Sequence, residues 1–385
     1  MSETNLRTLS LTGSRYRVFW VIFSVTLMRV ALAVLLYYRL AGDGADILFQ
    51  KIVTLPKWMY LFAGWDSSYY YIIAESWYPQ RLSPLWAFSP MFPTLVRLFA
   101  YLGSSVPLAG FCVAQVSCLI SIILFQMTAE KYFSKMNSAS ATLLYFTFPP
   151  VFVFSAVSYS ESVFLLFSLL AWYWHLAGRE KIAGVAAAAS SLARPYGFLI
   201  GLPLAYDYVR KRRYSELLYA ALPLLIFLAW MLYSFQVTGD FAVISSLHTY
   251  WSNQPLITLQ AAVVEFLRGN FQAAKESTGV LLGLMYAHFL RVIMGLVSIA
   301  LVAFLGYKAL AIDHALGAYV IGSLIVISVL GFFPSLGSFP RYLAFLFPIG
   351  LVVGTRRRWL LVFGIATFIF LNYFAWWAFI SDGFY

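Results

Sequence analysis

Residues 18–38, VFWVIFSVTLMRVALAVLLYY, run for 21 positions with a single charge, Arg29. About 20 apolar residues carry a helix across the hydrocarbon layer of a bilayer, and comparable runs recur along the rest of the chain. Backbone in lipid must satisfy its own polar groups, so long runs of this kind leave the α-helix as the spanning form. The short alternating segments of a barrel are not seen. The chain of 385 residues is 62% hydrophobic and 11% charged, with a mean hydropathy of +0.80. With one long polar loop set aside, this length leaves room for about eleven transmembrane helices. The expected fold is therefore an all-α polytopic membrane protein, a single transmembrane domain over 1–385. The first run is too long for a cleaved signal and lacks a small-residue cleavage site, so it is expected to remain as the first span.

The net charge of +11 sits in clusters between the apolar runs, which marks cytoplasmic loops rather than a nucleic-acid partner. Residues 1–17 are basic, so the N-terminus is placed inside and the polar loop 39–87 outside. Residues 88–102 are short and contain Arg97. Treated as non-crossing, they leave 106–127 and 139–157 as the second and third spans and 161–177 as the fourth, with Lys131, Lys135, Arg179 and Lys181 inside. The run 182–208 is interrupted by ARPYG, because Pro195 lacks an N–H and Arg194 is costly at mid-bilayer. Two short helices then return RKRR (210–213) to the inside. After 217–236 comes a second outer loop, 237–280. Spans near 281–305, 315–332, 341–354 and 359–380 complete the chain, with RRR (356–358) inside. Cys112 and Cys118 read as small buried hydrophobes.

Ionisable groups at membrane depth are functional candidates. In this topology Asp66, Glu161, Arg194 and Arg341 come from four separate stretches to one outer face. Arginine forks suit phosphate oxygens, and an acid among aromatic residues suits a base that deprotonates a hydroxyl. Plainer readings stand beside these. A single Asp in a loop is commonly a solvated turn residue, Trp65 and Tyr69 to Tyr71 equally suit an interfacial aromatic belt, and the arginines equally suit contacts to lipid phosphate. Arg29 is open between a structural pairing and a functional role. His175 and His314, beside predicted cytoplasmic loops, carry no signal, while His248, His288 and Arg291 are cavity candidates. No HExxH, DxD, P-loop or dinucleotide pattern is present, and no metal or cofactor is expected.

Several motifs together resemble one family. WDSSYYYIIAESWYP is similar to the WD-x-x-H-Y-x-x-IA-x-x-GY block of the GPI mannosyltransferase II (phosphatidylinositol-glycan class V) family, with Trp65, Asp66, Tyr70, Ile73, Ala74 and Tyr78 in place. SPMFP resembles its FFPLYP element through Phe92 and Pro93. The stretch with Pro149, Tyr159, Glu161, Ser162 and Phe164 resembles its Y-[ST]-E-S run. LARPYGFL resembles its R-x-x-G block through Arg194 and Gly197, and FPRYLAFLFP its late RY element. The blocks keep their order across residues 15–355. Tyr69 stands where the family has His, and Trp77 where it has Gly.

The resemblance implies a GT-C type glycosyltransferase that moves a hexose, mannose foremost, from a polyprenyl-phosphate donor of the dolichyl-phosphate-mannose type. The acceptor is left open among a glycolipid, a glycan and a protein. Carried over position by position, Asp66 is the general base and Arg194 and Arg341 hold the donor phosphate. Glu161 orients the sugar or an arginine. Beside these carried-over roles, Trp65, Tyr69, Tyr70, Glu75, Tyr196, His248 and Tyr342 are expected to contact substrate. The lipid-linked sugar is a substrate, and membrane lipids are the other partners. The compact length points to a prokaryotic plasma membrane with the site facing out, the endoplasmic reticulum being the alternative. The rival functions are a flippase or transporter without chemistry and a polyprenyl-diphosphate-dependent ligase.

Overall fold

The computed structural model describes residues 3–42, 57–241, 295–329, 339–354 and 358–381, with scattered positions between 243 and 293. Among these residues every regular element is helical. His248, Trp251, Glu265, His288 and Arg291 lie outside the described residues, as do 43–56 of the first loop and most of the second.

Helix α1, Glu3–Gly42, has 40 residues and rises about 60 Å, twice the hydrocarbon thickness, of which Phe19–Arg39 is the apolar part. Among the described residues three other stretches are long and apolar enough to cross a membrane. They are Val106–Tyr132 (α4), Tyr214–Thr238, which contains α10 (Leu217–Thr238), and Trp359–Trp377 within α15 (Arg358–Ser381). The chain is thus a membrane protein. Shorter apolar helices accompany these four: α3 (Met91–Ala100), α7 (Glu161–Leu176), α11 (Gly295–Leu310) and a segment of α12 (His314–Val329). Ten residues in α3 rise about 15 Å, half the ~30 Å hydrocarbon layer.

Proline sets where the expected spans break. The stretch 139–157, read as one span, forms two helices, α5 (Lys135–Thr147) and α6 (Pro149–Phe154). Pro149 and Pro150 remove two N–H donors and push Phe148 to φ −60°, ψ 127°, out of the helical region. Asn372 of α15 donates to the Thr147 carbonyl beside the break at 2.8 Å. The run 341–354 likewise divides into α13 (Phe339–Ala344) and α14 (Pro348–Val352). The interruption at ARPYG is present: α8 (Glu180–Ala193) stops at Arg194, in extended backbone with φ −147° and ψ 146°. A 3-10 segment, Pro195–Ile200, then leads into α9 (Gly201–Arg210).

The centre is built from α4, α7, α8 and α10, packed in succession. The small side chains of α8 (GVAAAASS) let α7 and α10 approach closely on two sides, as membrane helix contacts favour. Ser168 and Ser190 share a hydrogen bond of 2.8 Å between α7 and α8.

His175, read from the sequence as carrying no signal, is buried near the C-terminal end of α7 in a polar network. Its Nδ1 lies 2.9 Å from Glu180 Oε2 and its Nε2 2.8 Å from Asp207 Oδ2. Tyr208 and Arg213 both donate to Glu180, at 2.6 and 2.8 Å. Glu161 opens the same helix 14 residues earlier, about 21 Å away along the axis.

Candidate functional site

Asp66 is the first residue of helix α2 (Asp66–Ser76), and the preceding Trp65 holds φ at +45° and ψ at −105°. A bulky residue at positive φ is strained, and such strain persists only where its surroundings impose it. Here the Asp66 amide donates to the Tyr159 hydroxyl at 3.2 Å, and Ser67 Oγ donates to the Ser158 carbonyl at 3.2 Å. Tyr70 Oη and Ser160 Oγ share a 2.8 Å hydrogen bond. Burial pushes the Tyr70 phenol well above its ordinary value, so it is a neutral hydroxyl at physiological pH. Helix α2 is thus clamped along one side to the turn 155–160, which ends at Glu161.

Glu161 begins α7 and is wholly buried. Its Oε1 receives two cations. Arg341 of α13 donates to it from Nε, and Arg194, at the break after α8, is ion-paired to it through Nη2. Arg341 also reaches forward, its Nη1 donating to Asp66 Oδ2 at 2.9 Å. A continuous chain of ion pairs therefore runs Arg194–Glu161–Arg341–Asp66. Three members are almost sealed, while the Asp66 side chain keeps 21% of its exposure. Aromatic rings flank the cations: Arg341 lies 4.5 Å from the Tyr159 ring centre and 4.9 Å from that of Phe154, and Arg194 lies 5.0 Å from that of Tyr342. Such contacts favour a cation held away from water.

The turn after α8 that presents Arg194 depends on a glycine. A Cβ on Gly197 would lie 2.1 Å from the Ser190 carbonyl oxygen, so only glycine lets the 3-10 segment fold back against α8. Buried charges need partners, and these four satisfy one another only in part. Glu161 Oε2 and Arg194 Nε are buried with no hydrogen-bond partner. An ion-pair chain is weak evidence for stability in its own right, since apolar replacement often serves as well. With two oriented guanidinium forks and a part-exposed carboxylate on one face, the arrangement can hold an anion and accept a proton beside it.

The other residues singled out from the sequence divide. Tyr196 and Tyr342 are buried beside Arg194, and Trp65 and Tyr69 are half-buried, Tyr69 stacking on Phe88 at 4.9 Å. Glu75 is exposed at the far end of α2 and takes no part in the ion-pair chain. Tyr159, Ser158, Ser160 and Ser67 join the site without having been singled out as site residues; the signal was the polar run SYSES inside an apolar stretch. Among the described residues no cluster of His, Cys, Asp or Glu is disposed to hold a metal ion. A groove of about 540 Å³ runs between α1 and α4, lined by Arg29, Val30, Tyr37, Phe111 and Gln115 and reaching Trp58 and Phe62, just before Asp66 in the chain.

Residues 53–218, which carry Asp66, Glu161 and Arg194, match the model of a mannosyltransferase family, described as Mannosyltransferase (PIG-V). The matched stretch takes in four of the five motif blocks read from the sequence, all but the late RY element, and supports that resemblance. Particular relatives are GPI mannosyltransferase 2 of Yarrowia lipolytica, 27% identical over 152 residues, 40% of this chain and 42% of that protein, and of Drosophila melanogaster, 29% identical over 166 residues, 37% and 34%. The GPI mannosyltransferase 2 of Schizosaccharomyces pombe is 27% identical over 113 residues, 28% of this chain and 23% of that protein. The matched stretches span less than half the length of these curated relatives. Among solved structures, the Archaeoglobus fulgidus oligosaccharyltransferase, crystallised with Zn and sulfate, is similar with a TM-score of 0.46 at 14% identity, over 94% of this chain and 53% of that one.

Proposed function

We propose that the protein is a GT-C type, inverting glycosyltransferase that moves a hexose, mannose foremost, from a polyprenyl-phosphate donor to an acceptor hydroxyl outside the cytoplasm. The observation that carries this reading is the chain of ion pairs from Asp66 through Arg341 and Glu161 to Arg194. Asp66 accepts the proton of the acceptor hydroxyl as its oxygen forms a bond to the anomeric carbon. The bond from that carbon to the phosphate oxygen breaks on the opposite face, and both electrons leave with the phosphate. Arg194 and Arg341 stabilise the charge that develops there, as fixed donors in a dry site do, and Glu161 holds the two forks in register. Tyr70, Tyr196 and Tyr342 border the sugar. The donor's hydrocarbon tail or that of a lipid acceptor lies along the groove beside α1. The loop 39–87 faces outward with the first helix entering from the inside, about eleven crossings make one transmembrane domain, and the site faces out of a prokaryotic plasma membrane.

Arginines that neutralise the leaving phosphate do the work a divalent ion does elsewhere, and turnover is expected to persist in EDTA. The test is release of polyprenyl phosphate from polyprenyl-phosphate [14C]mannose by purified protein with a membrane-lipid extract and EDTA present. Wild type is expected to transfer label to a new product and Asp66→Asn to fall by about a hundred- to ten-thousand-fold. Full turnover by a well-expressed Asp66→Asn protein would remove Asp66 as the base.

A further inference from the structure

Arg29 lies midway along the apolar part of α1, 8% exposed, and no carboxylate among the described residues pairs with it. Its partners are neutral. Nη1 donates to Cys118 Sγ at 3.1 Å, and Nη2 donates to the Phe152 carbonyl at 3.1 Å and to Ser155 Oγ at 2.5 Å, while the guanidinium lies 5.2 Å from the centre of the Phe152 ring. A cation at this depth is costly, and neutral side chains could join three helices at less cost. What the guanidinium does that they cannot is span several acceptors at once with a rigid charged fork. Two of its three acceptors, the Phe152 carbonyl and Ser155 Oγ, lie at the end of α6, where helical carbonyls run out of partners and a cation is favoured.

Beyond α6 comes the turn 155–160, whose residues are each at most 1% exposed. Buried non-helical backbone needs a partner for every polar group. On its deep side Gln115 supplies one, its Nε2 donating to the Ala156 carbonyl at 2.5 Å, while Arg29 holds the first residue of the turn by its side chain, through Ser155 Oγ. On its shallow side Ser158 N donates to the Phe62 carbonyl at 2.7 Å, and Ser67, Tyr70 and the Asp66 amide make the contacts described above. The turn is thus tied below to Arg29 and above to the helix that carries Asp66, and it runs directly into Glu161.

We infer that Arg29 is a positioning residue: by anchoring the deep end of the turn 155–160 it sets the spacing between Asp66 and Glu161. The inference rests on the proposed function for its kinetic consequence but not for its structural one. Hydrogen–deuterium exchange on the detergent-purified full chain tests the structural part. Arg29→Gln is expected to speed amide exchange across 155–160 by tenfold or more, with Arg29→Lys intermediate; unchanged exchange in Arg29→Gln would overturn the inference. In the mannose-transfer assay, Arg29→Gln is expected to lower kcat by about ten- to a hundredfold, the cost of a small misplacement at a distance, with KM for the donor within twofold. Its effect should nearly vanish in a Glu161→Gln background, because residues that act through one another are not additive. Additive losses, or a rise in KM alone, would overturn it. If Arg29→Gln does not fold, Gln115→Ala removes the other deep tether and should give the same pattern more weakly; wild-type behaviour in both assays would overturn the inference. A wild type that transfers no sugar refutes the proposed function, and the exchange result still decides the tether.

Discussion

Asp66 and Glu161 each begin a helix, and each bonds Arg341, yet their surroundings give them different parts. Glu161 has no exposure and holds both arginines through one oxygen, whereas Asp66 retains a solvent-facing share and a single ion pair. Glu161 is a cross-link, and on the proposed function Asp66 is the reagent. Removing one partner of a buried pair leaves uncompensated charge and costs about 3–5 kcal/mol, so Glu161→Gln should lower the melting temperature in detergent markedly and weaken donor binding. Asp66→Asn should leave melting within a few degrees of wild type while abolishing turnover; thermal melts of the two variants side by side check the contrast. The four charged residues were legible because each interrupts an apolar or aromatic stretch. Tyr159 and the serines around it were less so, since their importance lies in which backbone groups they meet across 90 or so positions.

At the scale of elements, the breaks carry the design. The stop after α8 could be read from Pro195, but why it holds Arg194 in extended backbone needs Gly197, whose absent side chain is the space that Ser190 fills. Gly197→Ala should therefore destabilise by about 1–3 kcal/mol, the usual cost of overpacking, and weaken donor binding; a melting curve and a donor-binding isotherm on the same preparation test both. The division of α5 from α6 was hidden in a hydrophobic run long enough to pass for one span. The network around His175 was hidden differently, because Glu180, Asp207 and Arg213 are each ordinary at a helix end and become a network only when α7, α8 and α9 meet. Burial pushes the Glu180 carboxyl upward, but hydrogen bonds from Tyr208, His175 and Arg213 outweigh it and hold the group below its ordinary 4.5. A carboxyl with a depressed folded value stabilises fully above the ordinary range and loses that contribution as pH falls through the folded one. Melting of wild type should thus drop more steeply below pH 4.5 than that of Glu180→Gln, and the two curves should converge in acid.

For the molecule as a whole, the helical class was plain from the apolar runs, while their lengths were not: among the described residues four stretches are long enough to cross, and the shorter ones lean on neighbours. Hydropathy cannot see a proline-broken pair whose halves are completed by packing. The proposed topology places the exposed Glu75 outside and the exposed Arg212 inside. A membrane-impermeant maleimide added to intact cells should label Glu75→Cys and spare Arg212→Cys, with the parent protein as the control for Cys112 and Cys118. The reverse pattern would turn the site to the cytoplasm and require a donor on that leaflet.

Arg341 touches two carboxylates from one guanidinium, and the four charges of the cluster cancel. On the proposed reaction the bound donor adds one negative charge, and turnover leaves that total unchanged: as Asp66 takes up a proton and becomes neutral, the phosphate released gains the charge that Asp66 gave up. The reaction is then a displacement of one electron's worth of charge from one side of Arg341 to the other, with no counter-ion to recruit and no charge to bury or expel in an environment where either would be slow.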